Sequence, residues 1–188
     1  MSEESAKAKK NKFLKESFNT ALYFLFVFLF AAFVLKFVGQ RSVVEGSSMN
    51  DTLYNGESVW VNKFRYRFTD PERFDVIVFP YQYKEDTYFI KRIIGLPGET
   101  VQIDEEGNIY INGEILEENY GKEVIRPENR GLAAEPITLG EDEYFVMGDN
   151  RNDSMDSRFP NVGPINKDIM IGKAVFRLYP LTKMGGIK

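Results

Sequence analysis

An all-β domain behind a single N-terminal transmembrane helix is the architecture this sequence predicts, and three observations predict it. Residues 18–38 form one unbroken apolar run. The residues after it divide into short β-branched and aromatic segments separated by turn residues, and helical periodicity is nearly absent among them.

The apolar run "FNTALYFLFVFLFAAFVLKFV" carries one charge, Lys36, near its far end. At about 1.5 Å per helical residue its length is roughly 30 Å, the thickness of a bilayer's hydrocarbon core. It is apolar all round, unlike a core helix. "FVGQRSVVEG" after it offers no small-residue cleavage site, unlike a secretory signal. An uncleaved anchor over 18–38 is therefore expected. Residues 1–17 form a basic tail, with five lysines (Lys7, Lys9, Lys10, Lys12, Lys15) against three glutamates, which places the N-terminus in the cytoplasm. Residues 39–188 then form an extracytoplasmic β-domain.

Within that domain the β-type runs are "SVVE", "ESVWVNKF", "FDVIVFP", "YFIKRIIG", "TVQID", "GNIYIN", "EYFVMG" and "KAVFRLYP". Asn112-Gly113 predicts a two-residue hairpin, Glu106-Gly107-Asn108 closes another, and Pro97-Gly98 marks a turn. Residues 117–136, rich in charge, Gly and Pro, read as a surface excursion between strands.

Composition excludes several chemistries. With neither cysteine nor histidine there is no disulfide, thiol nucleophile, zinc-finger spacing or His-based triad. The net charge of −4 combines a short basic end with a β-domain of −7, which is not the spread of Lys and Arg a nucleic-acid binder shows. No cofactor or metal is expected. A calcium loop starting at Asp149 fails because Arg151 falls at its third ligand position and Ser154 where its glycine belongs.

Three segments can carry chemistry. In "YFIKRIIGLPGE" a lysine, Lys91, interrupts a run that otherwise reads as a buried strand. Burial penalises an ammonium more than an amine, so such a lysine can serve as a base. A chain without histidine needs a base of this kind if it uses a serine nucleophile. "VVEGSSMNDTL" leaves a strand through Gly46 and presents Ser47, Ser48 and Met49, where a hydroxyl and backbone N–H groups can meet a substrate. "VMGDNRNDSMDSR" crowds polar residues behind a strand. There Asp156 and Arg158 are a natural ion pair and Ser154 can orient a neighbour.

In chain order behind an anchor, these segments resemble the bacterial type I signal peptidases, membrane-bound Ser/Lys proteases, and in particular their compact Gram-positive members. "GSSMNDTL" is similar to the serine box, "RFDVIVF" and "FIKRIIGLPGE" to the lysine region, and "GDNRNDSMDSR" to the last box. The resemblance implies a signal-peptidase/LexA-like β fold, Ser48 as nucleophile and Lys91 as general base. It also implies that Ser154 hydrogen-bonds the lysine, with the Asp156–Arg158 pair behind it. The substrates implied are exported preproteins cleaved after small residues at A-x-A type sites, with Met49 lining a pocket and Gly46 beside the oxyanion. The enzyme is expected to be a monomer in the plasma membrane, with the lipid bilayer as its other partner and no nucleic acid. Two departures stand out: Asp51 replaces the usual proline, and Gly46 replaces a serine that in some relatives helps hold the oxyanion. A second reading is a non-catalytic anchored β-domain that binds a partner. A cell-wall Ser-Lys enzyme is disfavoured, because no serine has a lysine three residues later.

Overall fold

The structure, a computed structural model, describes residues 3–187; residues 1, 2 and 188 of the predicted segments lie outside it. It divides into two compact units, residues 1–38 and 39–188.

The first unit is a helix. α1 (Glu3–Phe33) contains neither Gly nor Pro and ends in a π-helical turn, Val34–Val38. The stretch Asn11–Val38 is long and apolar enough to cross a membrane. Its phenylalanines and leucines from Phe13 to Phe33 are exposed, as lipid contact would require. The hydroxyl of Thr20 donates to the helix's own Glu16 carbonyl at 2.8 Å, so it needs no water.

The second unit is all-β, as the alternating runs predict. Twelve strands are described: β1 (Gly39–Val43), β2 (Ser58–Asn62), β3 (Val76–Pro80), β4 (Tyr88–Gly95), β5 (Thr100–Ile103), β6 (Ile109–Ile111), β7 (Glu114–Ile115), β8 (Ile137–Thr138), β9 (Glu143–Met147), β10 (Ile165–Asn166), β11 (Gly172–Tyr179) and β12 (Gly185–Gly186). The larger sheet runs β1-β2-β11-β3-β4-β9-β10, with β12 against β11, and the smaller runs β7-β6-β5-β8. All pairings are antiparallel. Asn112 and Gly113, at φ 54° and 85°, make the two-residue turn between β6 and β7.

β3 is apolar on both faces because both are covered. Val76 and Val78 join a cluster with Val44, Met49, Leu53 and Ile90, while Ile77 and Phe79 pack with Ile93 and Val146. A third cluster fills the space beneath the small sheet and includes Ile94, Val101, Ile109 and Phe145. β1 starts three residues earlier than "SVVE" suggested, since Gly39 to Val43 all pair with β2. Val44 continues that register by donating to the Glu57 carbonyl and buries its side chain.

The 117–136 segment contributes more than surface. Two short 3-10 turns, Pro127–Asn129 and Gly131–Ala134, hold it down, and Ile125 and Ala133 enter the core beneath the small sheet.

Candidate active site

Lys91 sits on β4 where the strand's two edges differ. β3 pairs with β4 from Tyr88 to Arg92, whereas β9 pairs with it only from Arg92 onward, so the β9-side edge of residues 88–91 is free. The Lys91 side chain is 3% exposed, and its Nζ donates to the Ile90 carbonyl at 3.0 Å and to Ser48 Oγ at 2.8 Å. Burial brings its pKa down to about 8. Asp156 and Asp149 act against that shift and Arg158 acts with it. An amine of this acidity is neutral in about a tenth of molecules at pH 7, where an ordinary lysine is almost wholly charged.

Ser48 projects from a turn anchored by its neighbours. Met49 and Leu53 are buried, and the amides of Thr52 and Leu53 both donate to the Met49 carbonyl. Gly46 enters the turn at φ +91°. Among the described residues nothing accepts from the Ser48 N–H, so that donor is available to a developing oxyanion.

The segment 148–158 clasps this turn. Asn150 donates from its backbone to the Ser48 carbonyl at 3.0 Å and from its side chain to the Ser47 carbonyl at 3.1 Å. Ser47 Oγ donates to Asp153 Oδ2 at 2.5 Å. The approach is close enough to require glycine at 148, where a Cβ would stand 2.4 Å from the Ser48 carbonyl oxygen and 2.3 Å from Ser154 Oγ. Behind the clasp, fully buried Arg158 grips both carboxylate oxygens of buried Asp156 at 2.8 Å each. Ser154 Oγ donates to the same carboxylate at 2.7 Å. Among the described residues Ser154 makes no direct hydrogen bond to Lys91; it reaches the lysine's surroundings through Asp156.

A second buried pair was not legible in the sequence. Arg92 donates from Nε and Nη2 to the two oxygens of Asp149 at 2.9 and 2.8 Å, and from Nη1 to the Phe74 carbonyl at 2.9 Å. The density of charge in 147–158 signalled that Asp149 needed a partner. Nothing local pointed to a residue 57 positions earlier.

A groove of about 500 Å³ runs between residues 42–46 and 84–91, with Ser48, Met49, Lys91 and Met155 lining one part of it. Val44 spends its N–H and its C=O on Glu57 and Gly56, so the backbone groups of Val43 and Glu45 turn the other way. On β4 the Ile93 backbone bonds Phe74 and Asp75, so Tyr88 and Ile90, of opposite parity, turn their groups to the free edge. Two strand edges with no strand partner among the described residues thus flank the serine, a setting suited to an extended peptide. Met49 is 2% and Val44 4% exposed, which makes the apolar floor shallow. Asp51 is exposed, accepts a long 3.3 Å bond from Tyr54 and does not line the groove. Among the described residues no cluster of three or more His, Cys, Asp or Glu is set to hold a metal.

A serine beside a buried lysine in a peptide-sized groove of a β-domain, preceded by an apolar helix, defines the class of a serine peptidase with an N-terminal anchor-like segment. The family model described as signal peptidase, peptidase S26, matches residues 17–179, and the chain belongs to that family. Signal peptidase I T of Bacillus subtilis (strain 168) is 35% identical over 97% of this chain and 93% of its own length. Signal peptidase I of Bacillus licheniformis is 33% identical over 98% of each chain. Probable signal peptidase I-2 of Synechocystis is 36% identical over 81% of this chain and 68% of its own. A solved signal peptidase I from Enterococcus faecalis, 36% identical in sequence, is matched over 56% of this chain and 97% of that one with a TM-score of 0.45. The activity is that of a type I signal peptidase. The non-catalytic binding domain finds no support among these relatives.

Proposed function

We propose that this chain is held in the membrane by the segment 18–38, with residues 1–17 in the cytoplasm and 39–188 outside as the catalytic domain. There it removes signal peptides from exported preproteins with Ser48 as nucleophile and Lys91 as general base. The observation that carries this reading is the 2.8 Å contact between Ser48 Oγ and a lysine amine that burial makes a usable base.

The precursor lies extended in the groove, its backbone facing the free edges at Val43/Glu45 and Tyr88/Ile90. Small side chains before the scissile bond fit the shallow floor of Val44, Met49 and Ile90, and larger ones do not. Neutral Lys91 accepts the Ser48 proton as Oγ bonds to the carbonyl carbon, and the oxygen of that carbonyl, now negative, takes the Ser48 N–H. The C–N bond then breaks, and Lys91 returns the proton to the leaving amine. In the second half Lys91 takes a proton from water as the water oxygen bonds to the acyl carbon. The bond to Ser48 Oγ then breaks, Lys91 gives the proton to Ser48 Oγ, and the signal peptide leaves with a free carboxylate. Asp156 and Arg158, held by Ser154 and Gly148, keep the lysine's surroundings in place. Gly46 gives the turn its bend and leaves the backbone N–H of Ser48 as the assigned oxyanion donor.

The test is release of the leader from a membrane-targeted precursor with alanines at the residue before the bond and two positions earlier. The full chain in detergent is compared with Ser48→Ala and Lys91→Met, each checked for folding by circular dichroism. Cleavage at that bond by the unaltered chain alone is expected. Retained cleavage in either variant would overturn the assignment.

A further inference from the structure

Residues 118–122, in the segment between β7 and β8, touch the buried polar groups around Lys91 at several points. The Tyr120 ring lies over the guanidinium of Arg92, 3.7 Å from ring centroid to its central carbon. The Lys122 amide donates to the Asp149 carbonyl at 2.9 Å. Glu118 pairs with buried Arg151 at 2.7 Å through one carboxylate oxygen and takes the Tyr120 amide at 2.9 Å with the other. Arg151 in turn donates to the Gly148 carbonyl at 3.0 Å. Tyr120 also packs on Phe74 at 5.0 Å, and Phe74, held at φ +71°, turns its carbonyl to Arg92. A phenylalanine holds that backbone only where its surroundings enforce it.

We propose that residues 118–122 form a positioning clamp for the general base, with Tyr120 as the positioning residue that keeps the Arg92–Asp149 pair closed beside Lys91. The proposal rests on Lys91 being the base. Three charged groups act on the lysine, Asp156, Asp149 and Arg158. Asp156 and Arg158 pair with each other, and Arg158 also donates to the Asn129 and Arg151 carbonyls, so neither bonds Tyr120 directly. Asp149 is the variable one, because its charge favours the ammonium form of Lys91 and Arg92 is what neutralises it. A planar guanidinium bonded edge-on to a carboxylate and covered by a ring has little freedom to tilt. Without the ring, water reaches that face and the pair loosens. More of the Asp149 charge is then felt at Lys91, which keeps its proton to higher pH.

The experiment measures kcat and KM on a peptide substrate between about pH 6 and 10, using the full chain in detergent. The proteins are the unaltered chain, Tyr120→Phe, Tyr120→Leu, Tyr120→Met and Ser48→Ala. Tyr120→Phe keeps the ring and is expected to reproduce the unaltered profile. Leu and Met are expected to move the ascending limb up by about half to one pH unit, with kcat at pH 7 falling about three- to tenfold and KM nearly unchanged. Met fills much of the same space with a flexible chain, which guards against simple loss of folding. Profiles of folded Leu and Met variants that superimpose on the unaltered one overturn the clamp, as does unfolding of both, which would make Tyr120 a packing residue. Activity in Ser48→Ala, or none in the unaltered chain, would instead overturn the Ser48/Lys91 assignment beneath it.

Discussion

Lys91 is a residue whose chemistry and stability pull in opposite directions. Its pKa in the fold, about 8, lies below the ordinary lysine value of 10.5 because burial disfavours the charged form. Below pH 8 the folded protein carries a buried ammonium that the unfolded chain would solvate, so the full penalty is present there. It diminishes as pH rises from 8 to 10.5 and is absent above. The shift corresponds to about 3 kcal/mol. Lys91→Met is therefore expected to abolish cleavage yet raise the unfolding free energy by up to that amount at pH 6, with the gain fading towards pH 10.5. Denaturant titrations at both pH values check it. For the unaltered enzyme kcat/KM should climb with pH and reach half its plateau near pH 8, since only the neutral amine accepts the Ser48 proton. A flat profile from pH 6 to 9 would contradict a lysine base. Arg158→Met tests the neighbourhood: it leaves buried Asp156 unpaired, which should destabilise the fold by about 3–5 kcal/mol. It also removes a positive charge that lowers the Lys91 pKa, so the rate midpoint should rise.

At the level of elements, the site depends on a strand, a turn and a polar segment meeting at one glycine. Gly148→Ala would drive a Cβ into the Ser48 carbonyl and the Ser154 hydroxyl. The backbone oxygen cannot step aside without moving Ser48. Its expected effect is a loss of at least about tenfold in kcat together with a lower melting temperature, read from kinetics and circular dichroism. The β4 run was legible because β-branched residues fill both faces of a covered strand, and the interruption at Lys91 marked its unusual position. The Asn112-Gly113 hairpin was legible for the local reason that both residues tolerate positive φ. β8, β10 and β12 were not, because two-residue strands are set by their partners' backbones and carry no pattern of their own. The Arg92–Asp149 pair escaped for a similar reason: it joins β4 to the end of β9, and contact at long separation leaves no local periodicity. The segment 117–136 read as surface from its charges, yet Glu118 pairs with buried Arg151 and Tyr120 lays its ring over buried Arg92.

At the scale of the molecule, helix and β-domain are separate units, and all the residues proposed for the chemistry lie in the second. A chain starting at Gly39 should fold and cleave a soluble peptide with kcat within a few-fold of the full chain. It should lose about a hundredfold or more on a precursor held in vesicles, because it no longer shares a surface with its substrate. Parallel assays on peptide and vesicle substrates decide this. The acidity of Lys91 comes chiefly from exclusion of water, and the charges that modulate it, Asp149, Asp156 and Arg158, are themselves fully buried. Mobile ions screen charges that face solvent and barely touch those beneath it. The enzyme's pH midpoint should therefore stay in place from dilute buffer to about 1 M sodium chloride, which would leave a site on the outer side of the membrane, where we propose it works, insensitive to the salinity of its surroundings.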